Sequence, residues 1–169
     1  MTIRNATRHD VALLTTLIRD SFRDVAESFR VTPENCPTFA SNITDERVAQ
    51  EMAAGTAFYI LENDGEPCGC VGLDLVHRDH WPACPQGVKP SYLKRLAVLP
   101  QYRRRGFGRA LVEHVLNEAK NMGCGRVQIG IIGEHAELRE WYERLGFSVE
   151  SEVQFERFPF TVAFMFVDV

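Results

Sequence analysis

No run in the 169-residue sequence approaches the ~18–20 consecutive apolar residues of a membrane span, so no membrane association is expected. The first ten residues mix charge and polarity and lack the apolar centre of a secretory leader, which points to a cytoplasmic protein. Cysteine is scarce and poorly spaced. There are five, at 36, 68, 70, 84 and 124, an odd number with no C-x-x-C pair. Neither a disulfide framework nor a zinc knuckle fits that spacing, so reduced thiols and no metal are expected. Cys68 and Cys70 lie two apart in a β-type run and are expected to share a face. Internal repeats and low-complexity tracts are missing, and 45% apolar with 25% charged residues is near the globular average. One core in one domain over 1–169 is expected, with no compositional case for disorder.

Nor is there a general excess of positive charge. Nineteen Lys and Arg stand against 23 Asp and Glu, for a net charge of −4. The average hides a split: residues 92–112 hold Lys94, Arg95, Arg103, Arg104, Arg105 and Arg109 and no acid. The rest of the chain has 13 cations against 23 acids. Nucleic-acid domains carry a broad basic face, so cations confined to one segment speak against nucleic acid. An acidic body would instead steer cationic amines towards it.

The periodicities give an element order. Thr7 to Asp10 reads as a capping box ahead of a helix with Val11, Leu14, Ile18 and Phe22 on one face. Residues 31–43 form a loop, and Thr44 caps a second helix that ends near 54–55. Strands at 57–61 and 68–76 flank an Asn63-Asp64-Gly65 turn, and a polar loop follows at 77–90. A strand at 92–98, a helix at 106–122, a strand at 126–132, a helix at 134–145 and strands at 147–156 and 160–168 complete the chain. The strand–helix–strand unit around the basic segment implies a right-handed parallel crossover, and short hairpins join the other strands. An α/β or α+β fold follows, a mixed sheet with helices on its faces.

The basic segment carries the chemistry. A strand ends, an arginine-rich loop with Gly106 and Gly108 follows, and a helix begins at once. The first N–H groups of a helix lack intrahelical partners and its dipole is positive there. Glycine lets backbone approach a ligand closely, so the segment is suited to a phosphate or pyrophosphate. The Walker phosphate-loop pattern is absent, and the dinucleotide G-x-G-x-x-G fails at Leu111. A solvated arginine face on a structural turn is the bland alternative.

At Arg103-Arg104-Arg105-Gly106-Phe107-Gly108 the sequence resembles the R/Q-x-x-G-x-G/A signature of the GNAT superfamily of N-acetyltransferases. Leu96 to Pro100 before it and Trp141-Tyr142 with Gly146-Phe147 after it resemble two further landmarks of that family. The resemblance implies a mixed, mostly antiparallel twisted sheet with a central parallel pair that splays apart, and helices on both faces. It implies acetyl-CoA as co-substrate, its arm against the main chain of Leu96, Ala97 and Val98. Its pyrophosphate would lie on Arg103, Arg104, Arg105, Gly106, Phe107, Gly108 and Arg109. Tyr142 would be the acid that protonates the departing thiolate. His135 stands where many members have an asparagine on the cofactor arm, and Lys94 where many have a glutamate base. A base must then come from Glu134 or His135, or from His77, Asp79 or His80; Glu134 is preferred because it follows a strand end facing the ligand crevice. A covalent route through Cys70 or Cys84 is the mechanistic rival. The acceptor would be a small-molecule or peptide amine, and the protein a monomer or homodimer. Phe22, Phe29, Phe39, Trp81 and Phe158 lie in the loops that would wall the acceptor. Lys94 and His135 also fit a non-catalytic acyl-CoA-binding module.

Overall fold

The computed structural model describes residues 1–76 and 80–169. Seven strands form one sheet: β1 (Thr2–Asn5), β2 (Ala57–Asn63), β3 (Glu66–Asp74), β4 (Pro90–Val98), β5 (Arg126–Ile132), β6 (Ser148–Gln154) and β7 (Thr161–Asp168). Their order is β1-β2-β3-β4-β5-β7-β6, antiparallel throughout except for the central parallel pair β4–β5. Four helices cover the sheet: α1 (Val11–Ser28), α2 (Asp45–Ala53), α3 (Phe107–Asn121) and α4 (Ala136–Glu143). Alternation along β2 divides the core: Phe58 and Ile60 pack with Leu14, Ile18 and Val48 of α1 and α2, while Tyr59 and Leu61 pack with Leu111 and Val115 of α3. The mixed, mostly antiparallel sheet with helices on both faces is as expected. No helix among the described residues is long and apolar enough to cross a membrane.

The caps explain the element ends. Thr7 N donates to Asp10 Oδ2 (2.8 Å) and His9 N to Thr7 Oγ1 (3.3 Å), and this capping box closes a 3-10 turn before α1. Arg47 N donates to Thr44 Oγ1 at the start of α2 (3.3 Å). Gly146, at φ +93°, ends the turn after α4. β3 stops two residues earlier than expected: the Asp74 carboxylate accepts from Val76 N (2.9 Å), turning the chain out of the sheet. Leu75 and Val76 are therefore exposed.

Two bulges overturn simple alternation. Leu61 pairs with Gly69 and Glu62 with Pro67, which leaves Cys68 as an extra residue in β3. Cys68 consequently joins the α3-side cluster and Cys70 the α1-side cluster, against the expectation that they share a face. The second bulge lies in β4, where pairing shifts between Cys70–Ala97 and Gly72–Lys94 and Arg95 adopts φ +56°. Lys94 and Arg95 both reach Glu51 of α2 as a result.

β4 and β5 stay together only briefly. Their register runs Pro90–Arg126, Ser91–Val127 and Tyr92–Gln128, and ends there. Beyond it β4 continues along β3 to Val98, and β5 along β7 to Ile132. Between Leu93 and Val98 one side of β4 is unpaired by β5, which opens a gap in the middle of the sheet.

Candidate active site

The gap leads into a cavity of about 370 Å³, within the range of small-molecule sites. Leu93 to Leu96 of β4 and Ile129 to Ile132 of β5 line it, with Tyr142 of α4 on the wall. On the α1 side of the sheet its walls are aromatic, with Phe22, Phe39, Trp81, Phe158, Phe160 and Phe164 among them. Of the aromatics anticipated for an acceptor wall, Phe29 alone is set back, its ring 5.2 Å from that of His135.

At one end of β4 the arginine loop turns into α3. Gly106 takes φ +84° as the residue before the first helical turn, with no side-chain cap. The first intrahelical bond is from Ala110 N to Gly106 O (3.0 Å), leaving the N–H groups of residues 107–109 without a helical acceptor. A Cβ at Gly108 would lie 3.4 Å from Trp141, an ordinary van der Waals contact, so packing alone does not demand glycine there. The arginines divide. Arg103 turns inward: Nε donates to Val98 O (3.1 Å), and the guanidinium holds Ser21 O and the Asp24 carboxylate of α1. Asp24 is lowered from its ordinary value chiefly by that hydrogen bond. Arg105 lies 5.5 Å over the Tyr102 ring, and Arg109 pairs with Glu113 on the surface (2.7 Å). Arg104, exposed and at φ +61°, has no ion pair among the described residues.

Between β4 and α2 lies a charge cluster that the sequence does not announce. Glu51 accepts from Arg95 (2.9 Å) and Arg47 (3.1 Å) and lies 3.7 Å from Lys94 Nζ, which also donates to Asp74 (3.2 Å). Both carboxylates are buried. Burial pushes the Glu51 carboxyl up, but the Arg95 hydrogen bond and the charges of Arg95, Lys94 and Arg47 outweigh it and hold it below the ordinary value. Glu51 follows Val48 by three residues on the inward face of α2, the one sequence sign that it is buried. Lys94, where a glutamate base would stand, is thus a partner of two acids.

Tyr142 is buried, with Trp141 and Phe147 rings 4.8 and 5.2 Å away. Burial alone lifts its phenol well above the ordinary tyrosine value, so it stays protonated at neutral pH. His135 lines the cavity and caps α4, its Nδ1 accepting from Leu138 N (3.4 Å). Glu134 is elsewhere. Its carboxylate accepts from Thr161 N (3.0 and 3.2 Å) and does not line the cavity. Desolvation opposes ionisation, but the hydrogen bonds from Thr161 and its own backbone together outweigh it and leave the carboxyl below the ordinary value, a poor proton acceptor. Of the remaining base candidates His80 lines the cavity, while His77 and Asp79 lie outside the described residues. All five cysteines are free thiols. Cys70 and Cys84 do not line the cavity, and burial pushes Cys70 up to about 12, which leaves no thiolate there.

Comparison with known proteins bears on this geometry. The sequence profile of the acetyltransferase (GNAT) family matches residues 19–147. An uncharacterized N-acetyltransferase of Methanocaldococcus jannaschii is 31% identical over 96 residues, 57% of this chain and 40% of that one. The ribosomal protein bS18-alanine N-acetyltransferase of Escherichia coli is 35% identical over 69 residues, 41% of this chain and 46% of that one. The chain thus spans less than half the length of these two relatives. The structure of PaiA N-acetyltransferase from Thermoplasma acidophilum, in complex with coenzyme A, superposes with a TM-score of 0.76 at 16% identity, covering 99% of this chain and 98% of that one.

Proposed function

The chain belongs to the acetyltransferase (GNAT) family, and from that membership we propose that it transfers an acetyl group from acetyl-CoA directly to a primary amine. The observation that carries this reading is the early end of the β4–β5 ladder at Tyr92–Gln128, beside an uncapped glycine turn into α3. An unpaired strand edge accepts an amide-bearing chain, and an uncapped helix start accepts phosphate, so both ends of a CoA molecule are provided for.

In this reading the main chain of Leu96, Ala97 and Val98 pairs with the pantetheine amides. Val98 O is already taken by Arg103, so its N–H is the group on offer. The N–H groups of 104–109 hold the pyrophosphate, with Arg104, Arg105 and Arg109 adding charge. Arg103 serves by tying the loop to α1. The amine attacks the thioester carbonyl, the C–N bond forms, and the C–S bond breaks as the oxyanion collapses. Tyr142 gives its proton to the leaving sulfur as charge develops there. A buried phenol is a weak acid, but burial also disfavours a free thiolate in the same low-dielectric cavity, which promotes proton transfer to the leaving sulfur. The nitrogen attacks as the neutral amine and, on becoming an amide, sheds the proton that restores Tyr142. The cavity histidine placed to take a proton from an incoming ammonium is His80, because His135 Nδ1 already accepts from Leu138 N.

Calorimetry with acetyl-CoA at near-physiological salt tests the binding half; well-folded protein that binds none would defeat the reading. For the chemical half, Tyr142→Phe is expected to lower kcat about 100-fold with little change in affinity for acetyl-CoA. An unchanged kcat removes Tyr142 as the acid. Binding without acetylation of any amine would favour the acyl-CoA-binding module.

A further inference from the structure

The part of the cavity on the α1 side of the sheet takes no role in the transfer step just described, yet its wall is highly ordered. Two rows of rings form it. Phe22, Phe39, Phe160 and Phe158 succeed one another at centroid separations of 5.9, 5.9 and 5.3 Å. A second row, Trp81, Phe164 and Phe155, follows at 5.1 and 6.3 Å, and the two rows meet where Phe155 and Phe158 pack edge to face at 5.8 Å. Both rows end under one guanidinium: Arg157 lies 4.9 Å from the Phe158 centroid and 5.7 Å from that of Phe155.

The charges are one-sided. Among the described residues no carboxylate lines the cavity, and Arg157 has no ion pair. The two cations on the β4 wall, Lys94 and Arg95, are paired with Glu51 of α2 and Asp74 of β3, neither of which lines the cavity. Arg157 is exposed at the turn between β6 and β7, at the outer end of the ring rows, whereas Tyr142 lies across the sheet gap on α4. The acidic exterior of the chain would steer polyamines towards the protein, but the wall they would meet is apolar and ends in a cation.

Resting on the acetyltransferase reading, we propose that the acceptor is an arylalkyl primary amine bearing a carboxylate on the ring at the end remote from the amine. The ring lies in the cavity against the aromatic rows, short of the Phe155–Phe158 contact, where edge and face contacts reward a flat apolar body. The carboxylate meets Arg157, whose planar fork matches it in two hydrogen bonds. The amine is then directed inward to the gap between β4 and β5, where the thioester would be attacked.

The test separates ring, carboxylate and amine. Loss of thioester absorbance is followed with 4-(aminomethyl)benzoate, benzylamine, 6-aminohexanoate and spermidine, which avoids thiol reagents that would also titrate the five free cysteines. The carboxylated aromatic amine is expected to show kcat/KM about tenfold above either truncated amine, the scale of one well-placed charged or apolar group. Arg157→Gln is expected to bring the ratio of 4-(aminomethyl)benzoate to benzylamine close to one, through KM. A preference for spermidine, or a ratio unmoved by Arg157→Gln, overturns the proposal. If no amine is acetylated although acetyl-CoA binds, the transfer reading fails separately. Calorimetric titration of the same amines into the CoA complex then decides: the same order and the same loss in Arg157→Gln support the proposal, and equal binding overturns it. Protein that binds no CoA overturns both.

Discussion

At Gly106 the backbone sits at φ +84°, and a Cβ built there would meet no atom within 4 Å. Conformational strain alone therefore sets the cost of Gly106→Ala, about 1 kcal/mol. Urea denaturation should show that loss and calorimetry a weaker acetyl-CoA complex; unchanged stability would mean that the turn relaxes freely. Glu51 tests burial and charge together. Its carboxyl is lower in the folded protein than in the unfolded chain, because its cationic partners outweigh desolvation. The stability it contributes is fully present above the unfolded value, about 4.3, and is lost as pH falls through the lower folded value. Glu51→Gln keeps one acceptor oxygen but removes the charge that answers Arg95 and Lys94, so a loss of about 2 kcal/mol at neutral pH is expected, below the usual cost of breaking a buried pair. The fall in stability on acidification should also become shallower. An acid limb parallel to that of the parent would assign the effect to another low carboxyl such as Asp10, held down chiefly by its hydrogen bonds from Arg4.

Among the elements, the loop from β4 to α3 divides its labour in a way that mutation can resolve. Arg103 is bound to Ser21 O and Asp24 of α1, whereas Arg104 points to solvent. Arg104→Gln should weaken acetyl-CoA binding and flatten its dependence on salt, because an exposed charge acts through a screened field. Arg103→Gln should lower the melting temperature and weaken binding, with the salt slope preserved. Identical salt behaviour in the two variants would contradict the division. Most elements were legible because local signals coincide with them: the 126–132 strand and the Thr44 cap follow from periodicity and capping chemistry alone. The failures share one cause. A bulge is decided by which residue of a neighbouring strand takes the hydrogen bond, and nothing in Cys68-Gly69-Cys70 or Lys94-Arg95 announces that choice. The same holds for Glu134, whose reach to Thr161 N depends on β7 lying beside β5.

For the whole molecule, the net charge of −4 conceals a basic segment over residues 92–112. Raising salt from about 50 to 300 mM should weaken acetyl-CoA binding severalfold despite that sign, as the Debye length shrinks below the size of the loop. Salt-independent affinity would remove the arginines from the binding term. By itself the sequence determined the element order, the glycine turn into α3, and the resemblance that proved to be family membership. These depend on contacts a few residues apart or on motifs contained in one segment. Only the tertiary structure decided that two of the six cations of the basic segment turn to Glu51 of α2, and that a third fastens the loop to α1. It also gathered Phe22, Phe39, Trp81, Phe158, Phe160 and Phe164, scattered over 143 positions of chain, around one cavity. Ring-to-ring packing and buried ion pairs are long-range interactions selected by the whole sheet, so the acceptor end of the site becomes readable only after the chain has folded.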